Sequence, residues 1–152
     1  MIIPEQLYKK IIKVMPVPCV DLLITNTQGK VLLVKRKNEP AKGQWWFPGG
    51  RVYFGETRQA AAIRKLKEEC GLVAEDVTEI GTYDVILDIP NMKGLSHGIT
   101  TLFSVDVGEN PPLVLDPQNL EAEWRTSKDW LQETLHFFIS RNLTKSHSKD
   151  DK

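Results

Sequence analysis

One helix of this chain announces itself at both ends, and it fixes much of what the surrounding segments can become. Thr57 has the side chain of an N-cap, and Gly71 stands where a left-handed residue closes a helix, so the sequence predicts a helix from about Thr57 to Cys70. Two adjacent glycines, Gly49 and Gly50, precede it and let the backbone approach a partner closely. Arg64 and Glu68 are one turn apart on that helix, and Lys65 lies three and four residues before Glu68 and Glu69. Taken alone, such a Lys-Glu-Glu run reads as a solvated helix face.

Around this helix the pattern switches to strands. Alternating or apolar runs at Cys19–Thr25 and Lys30–Arg36 flank the turn composition Asn26-Thr27-Gln28-Gly29. Further strands are predicted at 82–87, 98–107 and 121–125. A short amphipathic helix is expected over Glu5 to Val14, ended by Pro16 and Pro18. A last helix, capped by Ser127, should run through Trp130, Leu131, Leu135, Phe138 and Ile139. Strands interleaved with helices make an α/β class fold. Residues 1–143 read as one domain, and the polar segment 144–152 as a disordered tail.

At 152 residues the chain suits a single domain, and 20 basic residues offset 20 acidic ones. A balanced charge provides no field for nucleic acid or an anionic membrane, so neither partner is expected. No apolar run approaches the ~18 residues of a spanning helix. The first residues carry neither a basic stretch nor a long apolar one, and Cys19 and Cys70 make no disulfide framework. The expectation is therefore a cytoplasmic protein with reduced thiols.

The spacing overturns the bland reading of the helix. Gly50, Glu56, Arg64, Leu66, Glu68, Glu69, Gly71 and Leu72 stand in the order of the box of Nudix hydrolases, G-x5-E-x7-R-E-U-x-E-E-x-G-U, which this segment resembles over 23 residues. One fixed position departs: Lys65 stands where the pattern has glutamate. The resemblance implies an α/β/α sandwich with a mixed sheet, dependence on Mg²⁺ or Mn²⁺, and hydrolysis of a nucleoside diphosphate linked to another group. It implies metal binding at Glu68 and Glu69, helped by a backbone carbonyl at Gly49 or Gly50, with Glu56 and Arg64 as a structural pair.

A second resemblance narrows the substrate. Pro18-Cys19-Val20-Asp21, followed by Lys35-Arg36-x-Asn38-x-Pro40-Ala41-x-Gly43-x-Trp45-x-x-Pro48-Gly49-Gly50-Arg51, is similar to the GDP-mannose mannosyl hydrolase branch of that family. The implied substrate is a small-molecule nucleoside diphosphate sugar, cleaved to a nucleoside diphosphate and free sugar. The alternative is a pyrophosphatase that cleaves between the phosphates. A binding module without activity is disfavoured, because it need not keep both Glu68 and Glu69. The reading leaves room for a homodimer.

Individual residues follow from chemistry. A carboxylate inside an apolar strand is costly unless partnered, so Asp21 is expected to meet a hydroxyl, a cation or the metal shell. Arg36 and Arg51 can fork onto phosphate oxygens, and Arg36 would also offset charge on a departing diphosphate. Tyr8, Trp45 and Trp46 can stack a base or sugar or pack a core, and His97 is a candidate phosphate or sugar contact. The branch has a late-loop histidine as base, and a loose alignment on Trp124 puts Asn119 there. Asparagine takes up no proton at neutral pH, so Glu121 or Glu123 is expected to act as base. Gln118 aligns with a metal-shell glutamine.

Overall fold

Side chains along Val17–Thr25 (β1) alternate between two buried faces, and this one strand organises the molecule. The computed structural model describes residues 3–90, 94–109 and 111–150. β1 lies at the centre of a seven-stranded mixed sheet. It pairs in parallel with Gly94–Asp106 (β6), in register from Val17↔Gly98 to Thr25↔Asp106, and antiparallel with Val31–Arg36 (β2) and Gly49–Arg51 (β4). Thr78–Ile89 (β5) forms one edge against β6, while Trp45–Trp46 (β3) and Asn119–Arg125 (β7) flank β2.

Each face is covered by helix. Val20, Leu22, Ile24 and Leu32 bury against Ala61, Ala62, Leu66 and Cys70 of the helix Arg58–Cys70 (α2). Leu23, Val31 and Leu33 face Trp130 of Ser127–Trp130 (α3) and Phe138, Ile139 and Leu143 of Phe137–Asp150 (α4). Trp130 satisfies its buried indole by donating 2.9 Å to the Val31 carbonyl. The α/β/α sandwich with a mixed sheet is thus the architecture that forms. The N-terminal helix Glu5–Ile11 (α1) buries none of its residues.

α2 begins and ends as its sequence demands. Thr57 accepts from the Ala60 amide at 3.1 Å, and Gly71 takes φ +69°, with its amide on the Lys67 carbonyl. The turn between β1 and β2 is held by Asn26, whose Oδ1 accepts the Gln28 and Lys30 amides.

One expectation needs correction. The single last helix is two: Thr126, not Ser127, caps α3, and His136 Nδ1 accepts the Phe138 amide at the start of α4. Between them Glu133 takes a 2.7 Å bond from Arg125 Nη1 of β7, which ties the intervening turn to the sheet. α4 runs on to Asp150, and the Ser146 and Ser127 hydroxyls lie 3.1 Å apart; residues 151–152 lie outside the described residues. β3 and β4 are short strands fixed by pairing with β2 and β1, which local propensity does not register.

Candidate active site

Loop backbone, strand ends and the second half of α2 converge on a cavity of about 490 Å³. Its floor is the close approach of Gly49 to β1. A β-carbon at Gly49 would lie 2.3 Å from the Val20 carbonyl oxygen and 2.7 Å from Asp21 Oδ1, so only glycine lets this turn sit on the strand. Gly50 makes the same allowance for Lys65, whose Cε would stand 2.5 Å from an added β-carbon.

Asp21 is 8% exposed and faces into this cavity's wall. It is partnered: the Thr100 hydroxyl donates 2.6 Å to Oδ2, and the Trp46 indole also reaches the carboxylate. Burial pushes its pKa up to about 6, against the opposing pull of the Thr100 bond and the Arg36 charge. Arg36 donates Nε to the Pro40 carbonyl at 2.8 Å, which fixes its plane while leaving further guanidinium N–H groups at the cavity.

Arg51 is held between rings. Its guanidinium carbon lies 4.7 Å from the Tyr8 centroid and 5.7 Å from that of Tyr53, distances at which a cation is attracted to the ring face. Tyr8 reaches the cavity from α1, and His97 from β6, where its Nε2 stands 3.4 Å from Asp84. Below Tyr53, Arg64 forks onto Glu56 at 2.6 and 2.8 Å, donates 3.0 Å to the Arg51 carbonyl, and stacks 3.9 Å from the Tyr53 centroid. The Arg64 bonds hold the Glu56 carboxyl below its usual range.

The acidic end of α2 is occupied by protein cations and amides. Glu69, 7% exposed, accepts from Lys65 Nζ at 2.8 Å on one oxygen and from Asn119 Nδ2 at 2.8 Å on the other. Glu68 is half-exposed and does not line the cavity, yet its Oε2 is 3.0 Å from Arg64 Nη1 and 3.3 Å from the same Lys65 Nζ. Burial opposes the Lys65 charge, but the two carboxylates outweigh it and its pKa stands above the usual lysine value. The loop carrying Gln118 and Asn119 is pinned to the helix end, with the Asp116 amide on the Glu69 carbonyl and the Val114 amide on the Cys70 carbonyl. Gln118 lines the cavity.

Among the described residues no three Asp, Glu, His or Cys side chains cluster as a metal cage. The donors present nonetheless fit a hard divalent ion, which takes one or two carboxylates and completes its shell with water and substrate phosphate. The Lys65 ammonium, seated against both carboxylates, is itself a stand-in cation at that place.

The structure therefore gathers Tyr8, Asp21, Arg36, Gly49, Gly50, Arg51, Glu69, His97 and Gln118 around one cavity. It does not bring Glu121 or Glu123 there. On β7, opposite Lys35 and Leu33, neither lines the cavity: Glu121 pairs with Lys35 at 2.8 Å and Glu123 with Arg125 at 2.6 Å. Trp45 is likewise a core residue, 5.0 Å from Trp130, whereas Trp46 lines the cavity. Sequence reasoning missed Thr100, Tyr53 and the part taken by Lys65. Only Lys65 carried a signal, as the one departure from the box.

The comparisons agree with this fold. The family model for the NUDIX domain matches residues 15–146. The low-salt glycan biosynthesis protein Agl8 of Haloferax volcanii is 33% identical over 147 residues, covering 93% of this chain and 88% of that protein. An ADP-ribose pyrophosphatase of Methanocaldococcus jannaschii is 39% identical over 92 residues, 60% of this chain and 52% of that protein. Among solved structures, the NUDIX domain of Shewanella oneidensis NrtR, in complex with ADP ribose, superposes with a TM-score of 0.72 at 20% identity, covering 97% and 99% of the two chains. With the fold, the box and its forked Glu56–Arg64 pair in place, the chain belongs to the Nudix family and is a hydrolase of nucleoside diphosphate derivatives.

Proposed function

We propose that this enzyme hydrolyses a nucleoside diphosphate sugar of the GDP-mannose kind, releasing the nucleoside diphosphate and free sugar. The observation that carries the reading is the shared cavity of Asp21 with Arg36 and Arg51. Two arginines suit the diphosphate, and the Asp21–Thr100 pair supplies an acceptor and a hydroxyl of the sort that binds sugar. The glycan biosynthesis assignment of the Haloferax relative points the same way.

Nudix hydrolases use divalent metals, and Glu68 and Glu69, with the Gly49 or Gly50 carbonyl and Gln118, are the residues that would hold one here. The ion would supply Lewis-acid polarisation of the diphosphate. The chain's own groups do the rest. Arg36, with its plane set by Pro40, binds phosphate oxygens and offsets charge as the diphosphate leaves. Arg51, braced by Tyr8 and Tyr53, orients the same group. Gln118 and His97, both lining the cavity, position the substrate. Because Glu121 and Glu123 stand elsewhere, the base must come from the carboxylates at the cavity, Asp21 and Glu39 being those not occupied by Lys65.

Cleavage between the phosphates is the second reading, favoured by the pyrophosphatase relative. Hydrolysis of GDP-mannose in heavy-oxygen water with Mg²⁺ decides. Attack at the sugar carbon places the label on free mannose and none on GDP. Label on GMP or mannose phosphate overturns the proposal in favour of the second reading.

A further inference from the structure

The one position at which the box departs from its pattern is also the one whose side chain fills the place between the two carboxylates. Lys65 Nζ lies 2.8 Å from Glu69 Oε1 and 3.3 Å from Glu68 Oε2, and the side chain is 14% exposed. Its stem runs over Gly50, in space that a β-carbon there would close. Asn119 holds the second oxygen of Glu69, so both oxygens of this carboxylate are engaged within the protein.

Resting on the assignment of Glu68 and Glu69 as cation ligands, we propose that Lys65 is a resident cation that holds the metal site shut in the free enzyme. The carboxylates that would otherwise repel one another are neutralised by the ammonium. For Glu69 to ligate an ion at about 2.0–2.1 Å, Lys65 must withdraw its Nζ, since two positive charges at one carboxylate pair repel. The withdrawn ammonium remains at the cavity, where the substrate's diphosphate is the anion available to receive it.

The test is Mn²⁺ binding alone, followed by electron paramagnetic resonance on the full chain without nucleotide. Lys65→Met keeps the stem and removes the charge, and it should bind Mn²⁺ about 10–100-fold more tightly than the unaltered chain. Lys65→Arg keeps a cation at the site and should show no such gain. Lys65→Gln serves in place of the Met variant if that one fails to fold. Adding Glu69→Gln to Lys65→Met should abolish the gain. Equal Mn²⁺ affinity in the Met variant and the unaltered chain, absence of binding in both, or an equal gain in the Arg variant overturns the proposal. Failure of nucleotide-sugar hydrolysis would instead strike the proposed function, because this titration contains no substrate.

Discussion

The Thr100 hydroxyl donates a 2.6 Å hydrogen bond to the Asp21 carboxylate, joining two residues 79 positions apart through the parallel β1–β6 pairing. The bond satisfies one oxygen of a carboxyl that burial drives to a pKa of about 6 from an ordinary 3.8. A folded-state pKa raised above the unfolded one has a definite sign. The contribution of Asp21 to stability is fully present below about pH 4 and is lost as pH rises through about 6, where the buried group must ionise. Asp21→Asn removes that ionisation. Urea unfolding should show the variant gaining roughly 2–4 kcal/mol relative to the unaltered chain on going from pH 4 to pH 8. The same difference at both pH values would show that Asp21 does not ionise against burial.

Glu56 gives the opposite sign. Its carboxyl, forked by Arg64, is held below 4.5, so its contribution is present above that value and is lost as pH falls through the folded pKa. Glu56→Gln breaks a half-buried, charge-assisted fork and should cost about 1.5–3 kcal/mol at pH 7. The loss should shrink on acidification to pH 3, measured by urea unfolding. A constant loss would mean that packing, not charge, holds the Arg64 junction.

Arg36→Lys keeps the charge but discards the planar fork, and should lower kcat/KM for the nucleotide sugar by roughly tenfold or more. Lys37, next in sequence, has its amide on the Gln118 carbonyl but no role at the cavity for its side chain. Lys37→Ala should change kcat/KM by less than about twofold. Equal effects would remove Arg36 from phosphate recognition.

Glu69→Gln preserves shape and removes the charge, but its single amide oxygen can face Lys65 or Asn119 and not both. Mg²⁺-dependent turnover should fall at least about 10–100-fold, while circular dichroism shows the fold retained. Near-normal turnover would take Glu69 out of the metal site.

Cys19 lines the cavity, yet burial, with Asp21 adding to it, pushes its thiol up to about 12; burial, with Glu69 adding to it, does the same for Cys70. Alkylation by iodoacetamide at pH 8 should therefore be far slower for both than for a free thiol, and fast only once the chain is unfolded. Rapid labelling of Cys19 in the folded protein would contradict its low thiolate fraction.

Much of the molecule was legible in one dimension because its determinants are local. The caps at Thr57 and Gly71 bound α2 within the chain, and alternation along β1 and β2 set two buried faces. The spacing of Glu56, Arg64, Glu68 and Glu69 carries the family, since a helix converts it directly into neighbours in space. Where two signals competed locally, reading failed: Trp130 and Phe138 look like one amphipathic face, but the turn between them is decided by Glu133 meeting Arg125 of a strand.

What only the tertiary structure decided is which polar residues meet. Thr100 reaches Asp21 through strand pairing, Asn119 reaches Glu69 because its loop is pinned to the end of α2, and Tyr53 lies between two arginines of different elements. Glu121 and Glu123 had the right chemistry for a base but do not line the cavity, paired instead with Lys35 and Arg125. Sequence fixes a side chain's chemistry and, through helical and strand periods, its direction relative to near neighbours. Contacts between segments far apart depend on how sheet register and loop anchoring place whole elements, and no local pattern encodes them.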